Sequence, residues 1–270
     1  MNKKTVTPFL KWPGGKRWLI AAYSELLPKK FDRYIEPFLG SGSVFFHFQP
    51  QHALLGDINE ELIETYQGIK ENWEALRQLL QLHQEKHNSD YYYQMRESTP
   101  QTSIERAARF IYLNRTCFNG IYRVNFRGKF NVPKGGRDSF LLASDDFEGV
   151  SKALANTEIR KSDFEDLINE AKSNDFVFAD PPYTVTHNKN GFIKYNEKLF
   201  SWKDQRRLAD ALNRARDRGV KIVSTNANHD QIQELYRERN FHLTTVSRFS
   251  SISADPQKRK QFEELIITTN

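Results

Sequence analysis

Asp175-Phe176-Val177-Phe178-Ala179-Asp180-Pro181-Pro182-Tyr183 joins an apolar run to an abrupt polar stop. The apolar residues read as a buried strand. Each proline fixes φ and lacks an N–H, so the strand cannot continue through them. Asp180 and Tyr183 therefore belong at the carboxyl end of a strand, the edge where open α/β sheets place their ligands. The prolines also stiffen the loop, which can then hold a carboxylate, a carbonyl and an aromatic face at fixed separations. A strand-ending turn with a surface tyrosine reads equally well from these residues alone.

The flanking sequence repeats the strand-then-loop pattern. Tyr34-Ile35-Glu36 is a short strand broken at Pro37, and Gly40-Ser41-Gly42-Ser43 leads into a helix at Val44-Phe45-Phe46. Ala53-Leu54-Leu55-Gly56-Asp57 is a strand ending in an acid. In mononucleotide-binding α/β units an acid about 20 residues beyond the glycine turn accepts hydrogen bonds from ribose hydroxyls. Asp57 could instead cap the helix expected over 60–70, but Asn59 can take that role and leave Asp57 for a ligand. Further on, Glu158-Ile159-Arg160 reads as a strand. Asp163 is a helix N-cap or, with Phe164, an edge for an adenine ring. A helix starting at Ser201 or Trp202 runs to Arg218 and stops at Gly219. Val220–Asn226 is a strand, 230–239 a helix, and Phe241–Phe249 and Phe262–Thr268 two closing strands. Segment 187–195 reads as a mobile loop, and the basic loop 250–261, with Lys258, Arg259 and Lys260, as a phosphate contact or simply a solvated loop.

Near Asn72 the β–α alternation stops. Trp73–Lys86 and a segment starting near Ser103 read as helices, so this stretch looks like an inserted helical module. It ends in Leu113-Asn114-Arg115-Thr116-Cys117-Phe118-Asn119-Gly120-Ile121-Tyr122-Arg123, continuing to Pro133. Arginines, asparagines and aromatics interleave there across two expected turns, Asn119-Gly120 and Arg127-Gly128, which predicts a β-hairpin near 118–133. Arginine reads guanine, asparagine can read adenine, and an aromatic can wedge into a base stack. A polar hairpin with a solvated basic face is the plainer alternative.

At the other end of the chain, Phe9-Leu10-Lys11-Trp12-Pro13-Gly14-Gly15-Lys16 supplies a tight turn between a stacking face and a point charge. It is not a phosphate loop, because the first glycine of that pattern is missing and no strand precedes it.

The 270 residues allow one α/β domain with an insertion. Lysine and arginine exceed the acids 40 to 34, a net charge of +6, which suits a polyanionic partner without requiring one. The single cysteine, Cys117, excludes an intrachain disulfide and argues against a thiolate metal cluster. No clustered ligand set suggests a metal, no stretch is long and apolar enough to span a membrane, and the N-terminus lacks a signal core. A cytoplasmic protein, monomeric in solution, is the expectation.

Taken in order, the Phe9–Lys16 element, Glu36-Pro37-Phe38-Leu39-Gly40-Ser41-Gly42, the Asn114–Pro133 segment and Asp180-Pro181-Pro182-Tyr183 closely resemble the Dam-type DNA adenine-N6 methyltransferases. The resemblance covers nearly the whole chain. It implies a Rossmann-like, S-adenosylmethionine (SAM)-dependent methyltransferase sheet formed by 1–71 and 141–270, with 72–140 as an inserted target-recognition domain. Trp12, Lys16, Phe38, Asp57, Asp163, Phe164 and Asp180 would hold SAM. Asp180, Pro181 and Tyr183 would serve the target base. Lys11, Ile121, Arg123 and Pro133 match base-contacting positions, Phe118 the intercalating aromatic and Asn119 its neighbour; Arg115 lies in the same DNA-reading segment. Double-stranded DNA is the implied partner, flipped-out adenine the substrate and GATC the implied target. The same chemistry at GATATC, or on RNA, is the alternative. Pro13 and the 184–192 run depart from the family pattern.

Overall fold

The computed structural model describes residues 6–125, 128–184, 200–249 and 261–269. The loop expected at 187–195, all but Gln261 of that expected at 250–261, with Lys258, Arg259 and Lys260, and Arg127 of the second turn lie outside the described residues.

Seven strands form a sheet in the order β3-β2-β1-β4-β5-β7-β6. They are β1 (Tyr34–Glu36), β2 (Ala53–Asp57), β3 (Thr157–Lys161), β4 (Phe176–Ala179), β5 (Lys221–Ala227), β6 (His242–Phe249) and β7 (Gln261–Thr268). Strands β2, β1, β4 and β5 run parallel, and β7 lies antiparallel between β5 and β6. This is the doubly wound Rossmann-like order with one antiparallel strand slotted in near its edge. The order reverses between β1 and β4, so the crevice outside their carboxyl ends is the ligand position such a sheet defines.

Two compact units divide the chain. One comprises 18–38, 52–56 and 162–270, and holds β1, β4, β5, β6 and β7 with most of β2. Its core is Ile35, Leu54, Val177, Ala179, Ile222, Leu265 and Ile267 from the strands. Against them pack Leu167 and Ile168 of α7 (Phe164–Asn169), Leu208 and Leu212 of α8 (Trp202–Asp217) and Ile232 and Tyr236 of α9 (Asp230–Arg237). Strands β1 and β4 are buried throughout, which explains their unbroken apolar character. A short helix, α1 (Arg17–Ala22), crosses into this unit.

The other unit comprises 1–17, 39–51 and 57–161. Its helices are α2 (Ser43–Phe48), α3 (Glu60–Lys86), α4 (Ser89–Glu97), α5 (Ser103–Thr116) and α6 (Phe147–Leu154). The two helices expected on either side of Asn72 are laid end to end as α3. Asn72 itself is non-helical, with φ −151° and ψ 67°. Its side chain accepts from Ala75 N at 3.1 Å, capping the second half. Helix α5 opens with a reciprocal capping box, Thr102 with Glu105. Helices α4 and α6 were not expected from the sequence: the Tyr91-Tyr92-Tyr93 run hides α4, and short α6 falls where the two sequence patterns meet.

The expected hairpin differs in form. The chain does double back, with Asn125 N donating to Lys129 O and Asn131 N to Arg123 O. Among the described residues it makes only isolated bridges, Val124 with Phe130 and Cys117 with Lys134. Phe118–Gly120 is a single 3-10 turn, with Asn119 at φ +56° and Gly120 at +65°. Tyr122, Val124, Phe130 and Val132 alternate with polar residues, the strand pattern that suggested a hairpin, but the pairing stops at these bridges.

Candidate active site

Asp180 follows the last residue of β4 directly, as the prolines require. Thr225 of β5 donates from Oγ1 to Asp180 Oδ1 at 2.7 Å. Tyr183 is half-buried, and its hydroxyl donates to Glu264 Oε2 of β7 at 2.7 Å. Burial, then the negative charges of Asp180 and Glu264, push the Tyr183 phenol well above its ordinary range, so it stays protonated as a donor. Beyond it a buried polar chain braces the loop. Thr184 Oγ1 donates to Phe200 O (3.0 Å) and accepts from Gln205 Nε2 (2.9 Å), while Gln205 Oε1 accepts from Asn226 Nδ2 (3.0 Å). Nothing in the sequence reading flagged Thr225, Glu264 or Gln205. Gln205 carried a usable signal, since it is a polar residue three positions ahead of Leu208 on the buried stripe of α8.

In the same unit Phe38 stacks on Phe164, with ring centroids 5.3 Å apart and planes 25° apart. Arg207 lies over the Phe164 ring at 4.8 Å and donates to Asp163 Oδ1 at 2.8 Å. Asp163 Oδ1 also caps α7 by accepting from Glu165 N. Asp163 is therefore a helix cap, and it stands beside an aromatic pair.

In the other unit, the turn at 12–16 closes with Gly15 N donating to Trp12 O. Lys16 is buried, with Nζ donating to Gly14 O at 2.9 Å. Gly40, at φ +47°, lies flat against Trp12. A β-carbon there would come within 2.8 Å of the indole. Tyr66 OH donates to Gly40 O, and Gly40 N donates to Asp57 Oδ2 at 3.2 Å. Asp57 Oδ1 accepts from Asn59 N at 3.0 Å, and the Asn59 side chain caps α3 through Leu62 N. Asp57 is therefore not the helix cap. Burial raises its carboxyl group, and the surrounding N–H donors pull it back. A carboxylate oxygen has more than one lone-pair site, so both oxygens keep capacity for a further donor such as a ribose hydroxyl.

The residues expected to read DNA divide. Phe118 is 55% exposed, an unusual state for a phenylalanine, and Asn119, Arg123 and Pro133 are exposed as well. Arg123 Nε is held by Asn131 Oδ1 at 3.0 Å, and Phe118 N by Pro133 O. Ile121 is half-buried. Lys11 is clamped by Asn114, which accepts from its N–H and donates to its carbonyl, and the Lys11 side chain lies against Gly120. Burial, then the charge of Arg137, lowers the Lys11 amine. Arg115 corrects an expectation. It is only 5% exposed, paired with Asp145 and donating to the carbonyls of Phe9 and Phe140. The guanidinium is committed to the interior and braces the N-terminal segment against α5, because its place on the inner face of that helix leaves it no path to solvent. Tyr122, given no role from the sequence, stacks on Trp12 (centroids 6.0 Å apart, planes 18° apart) and donates to Glu61. Cys117 is buried, with its thiol pushed up to about 11 by desolvation. Among the described residues no group of three or more His, Cys, Asp or Glu is arranged to hold a metal, and no helix is long and apolar enough to cross a membrane.

An acid and a tyrosine thus stand at the end of β4 on a doubly wound sheet, the edge where such sheets hold their ligands. Residues 12–252 match the D12 class N6 adenine-specific DNA methyltransferases, and the chain belongs to that family. It is 37% identical to the type II methyltransferase M1.LlaDCHI of Lactococcus lactis subsp. cremoris, over 99% of this chain and 96% of that one. It is 34% identical to the type II methyltransferase M.MjaIII of Methanocaldococcus jannaschii (97% and 99%) and 32% identical to the DNA adenine methylase of Escherichia coli K12 (96% and 93%). The chain is an adenine-specific DNA methyltransferase that acts on N6, and DNA is its substrate.

Proposed function

We propose that the enzyme transfers the methyl group of SAM to N6 of a flipped-out adenine in double-stranded DNA, within GATC. The observation that carries this reading is the pairing of Asp180 with Tyr183 at the end of β4, each fixed by a second residue. Trp12, Lys16, Phe38, Asp57, Asp163, Phe164 and Asp180 are the proposed cofactor contacts. The half-satisfied carboxylate of Asp57 and the tight Gly40 turn, which admits no β-carbon, suit an adenosine with ribose hydroxyls to donate. When bound, SAM supplies an activated methyl group on a sulfonium.

The chain's own residues do the rest. Adenine N6 inside a duplex is out of reach, so the base leaves the stack. Tyr183 offers its ring as the stacking platform, a contact worth about 1–3 kcal/mol. The N6 lone pair is delocalised into the ring and is a poor nucleophile. Asp180 and the Pro181 carbonyl accept from N6–H and favour the pyramidal amine, a preorganised electrostatic contribution. The proline-stiffened loop contributes by holding these groups in line for transfer.

We assign target reading to segment 72–140 and catalysis to 1–71 with 141–270. Phe118, exposed and aromatic, is the proposed wedge into the stack beside Asn119. Lys11, Ile121, Arg123 and Pro133 are the proposed base-edge contacts. GATC follows from the match of these positions to the Dam-type pattern, and the E. coli relative's description as a DNA adenine methylase agrees with the chemistry. Methyl transfer from labelled SAM to GATC, GATATC and scrambled duplexes and to an RNA of the same sequence tests the reading. Incorporation into the GATC duplex alone is expected, and transfer only to GATATC or to RNA refutes it.

A further inference from the structure

The closing strand β7 ends in a buried apolar run, Leu265-Ile266-Ile267, and just before it stands a carboxylate, Glu264, that is only 1% exposed. For packing alone an apolar residue would serve better, since a carboxylate loses its hydration on burial and needs a donor in return. The register explains where it points. Glu264 lies opposite Ala227 on β5, and Thr225 is two residues from Ala227, so Glu264 and Thr225 share one face of the sheet. Thr225 holds Asp180 at 2.7 Å and Glu264 holds the Tyr183 hydroxyl at 2.7 Å. The two ends of Asp-Pro-Pro-Tyr are thus each tied to a neighbouring strand. A tyrosine ring fixed at Cα alone can turn about its side-chain bonds. Fixed also at its hydroxyl by a charge-assisted bond, the ring keeps its long axis in one direction, and because a phenol O–H lies in the ring plane the fixed acceptor orients that plane as well.

We propose that Glu264 is a positioning residue for adenine methylation: its buried carboxylate holds the Tyr183 hydroxyl and so fixes the plane of the ring on which the target base stacks. This rests on the assignment of Tyr183 to the target base. The tether acts before the base arrives, so it governs turnover rather than duplex binding. It also accounts for a phenol at this position where a phenylalanine would stack as well.

The test is a double-mutant cycle on the full-length enzyme with SAM and a GATC duplex, using Glu264→Met, Glu264→Gln, Tyr183→Phe and the Glu264→Met/Tyr183→Phe pair. Methionine fills the volume without an acceptor, and glutamine keeps an oxygen to receive the hydroxyl. Glu264→Met should lower kcat about tenfold or more, the size of one lost charge-assisted hydrogen bond, with KM for the duplex changed less than about threefold. Glu264→Gln should recover most of the loss. In the Tyr183→Phe background Glu264→Met should cost less than about twofold further, because the bond is already gone. A duplex with 2-aminopurine at the target position adds a binding-state readout: its emission on complex formation should be brighter with Glu264→Met, as the flipped base loses its stacking partner. Equal losses in both backgrounds, or wild-type turnover by folded Glu264→Met, overturn the proposal. Tyr183→Ala at wild-type turnover would instead remove the assignment beneath it, a separate and recognisable result.

Discussion

Arg115 and Arg123 belong to the same segment and carry the same charge, yet their environments assign them opposite work. Arg115→Ala strips the half-buried carboxylate of Asp145 of its partner and orphans the Phe9 carbonyl, so it should cost about 1–3 kcal/mol of stability, read from urea denaturation. Arg123→Ala, at an exposed position, should leave stability within about 0.5 kcal/mol. Its effect should fall on one base pair of the target, about 1–3 kcal/mol of discrimination, measured by methylation of singly substituted sites. Uniform weakening on every sequence would make Arg123 a phosphate contact instead. Asp180→Ala should abolish transfer and leave the fold intact, since Asp180 stands beyond the strand and outside the core; near-normal turnover would refute its role. Two prolines after an apolar run put Asp180 and Tyr183 at a strand end, and the resemblance to the Dam-type enzymes supplied the roles expected of them. It misassigned Arg115 because interleaved arginines look alike until the helix shows which face each one occupies. It passed over Glu264 and Thr225 because their roles arise only when β5 and β7 pair.

Among the elements, the glycine turn and α3 are the ones whose local physics is most exposed to test. Gly40→Ala puts a β-carbon within 2.8 Å of the Trp12 indole at a positive φ, so both the strain and the clash act together. Titration calorimetry should show weakened SAM binding, and unchanged affinity would mean that the Trp12–Gly40 contact is incidental to the cofactor. His83 on the second half of α3 is stacked on Tyr112 and bonded to Tyr91, and burial, then the charge of Lys86, lowers its pKa to about 4. A histidine whose folded pKa lies below its unfolded value, about 6.5, binds fewer protons when folded. It therefore withdraws stability as pH falls from about 6.5 toward 4. Denaturation midpoints should drop through that window, and His83→Gln should flatten the drop. Strand ends, caps and the break at Asn72 were legible because each rests on a local rule. The hairpin was legible in outline, since Tyr122, Val124, Phe130 and Val132 alternate with polar residues, but its reduction to isolated bridges was not.

For the whole molecule, the sheet order and the net charge of +6 set the terms. The alternation of strands and helices made the α/β class readable. The placement of β7 between β5 and β6 was not, since antiparallel insertion leaves no periodic mark in the sequence. That insertion brings Glu264 to Tyr183. DNA affinity should fall steeply with salt, with a logarithmic slope of about 0.9 for each phosphate neutralised. The measurement that bears most directly on the whole account is the position and sequence context of the methyl group after reaction with a mixed set of duplexes. The expected product is N6-methyladenine within GATC and loss of incorporation when the site is scrambled. Methylation of cytosine would contradict the chemistry assigned to Asp180 and Tyr183; N6-methyladenine at unrelated sites would retain that chemistry and contradict the reading of Arg123 and its segment.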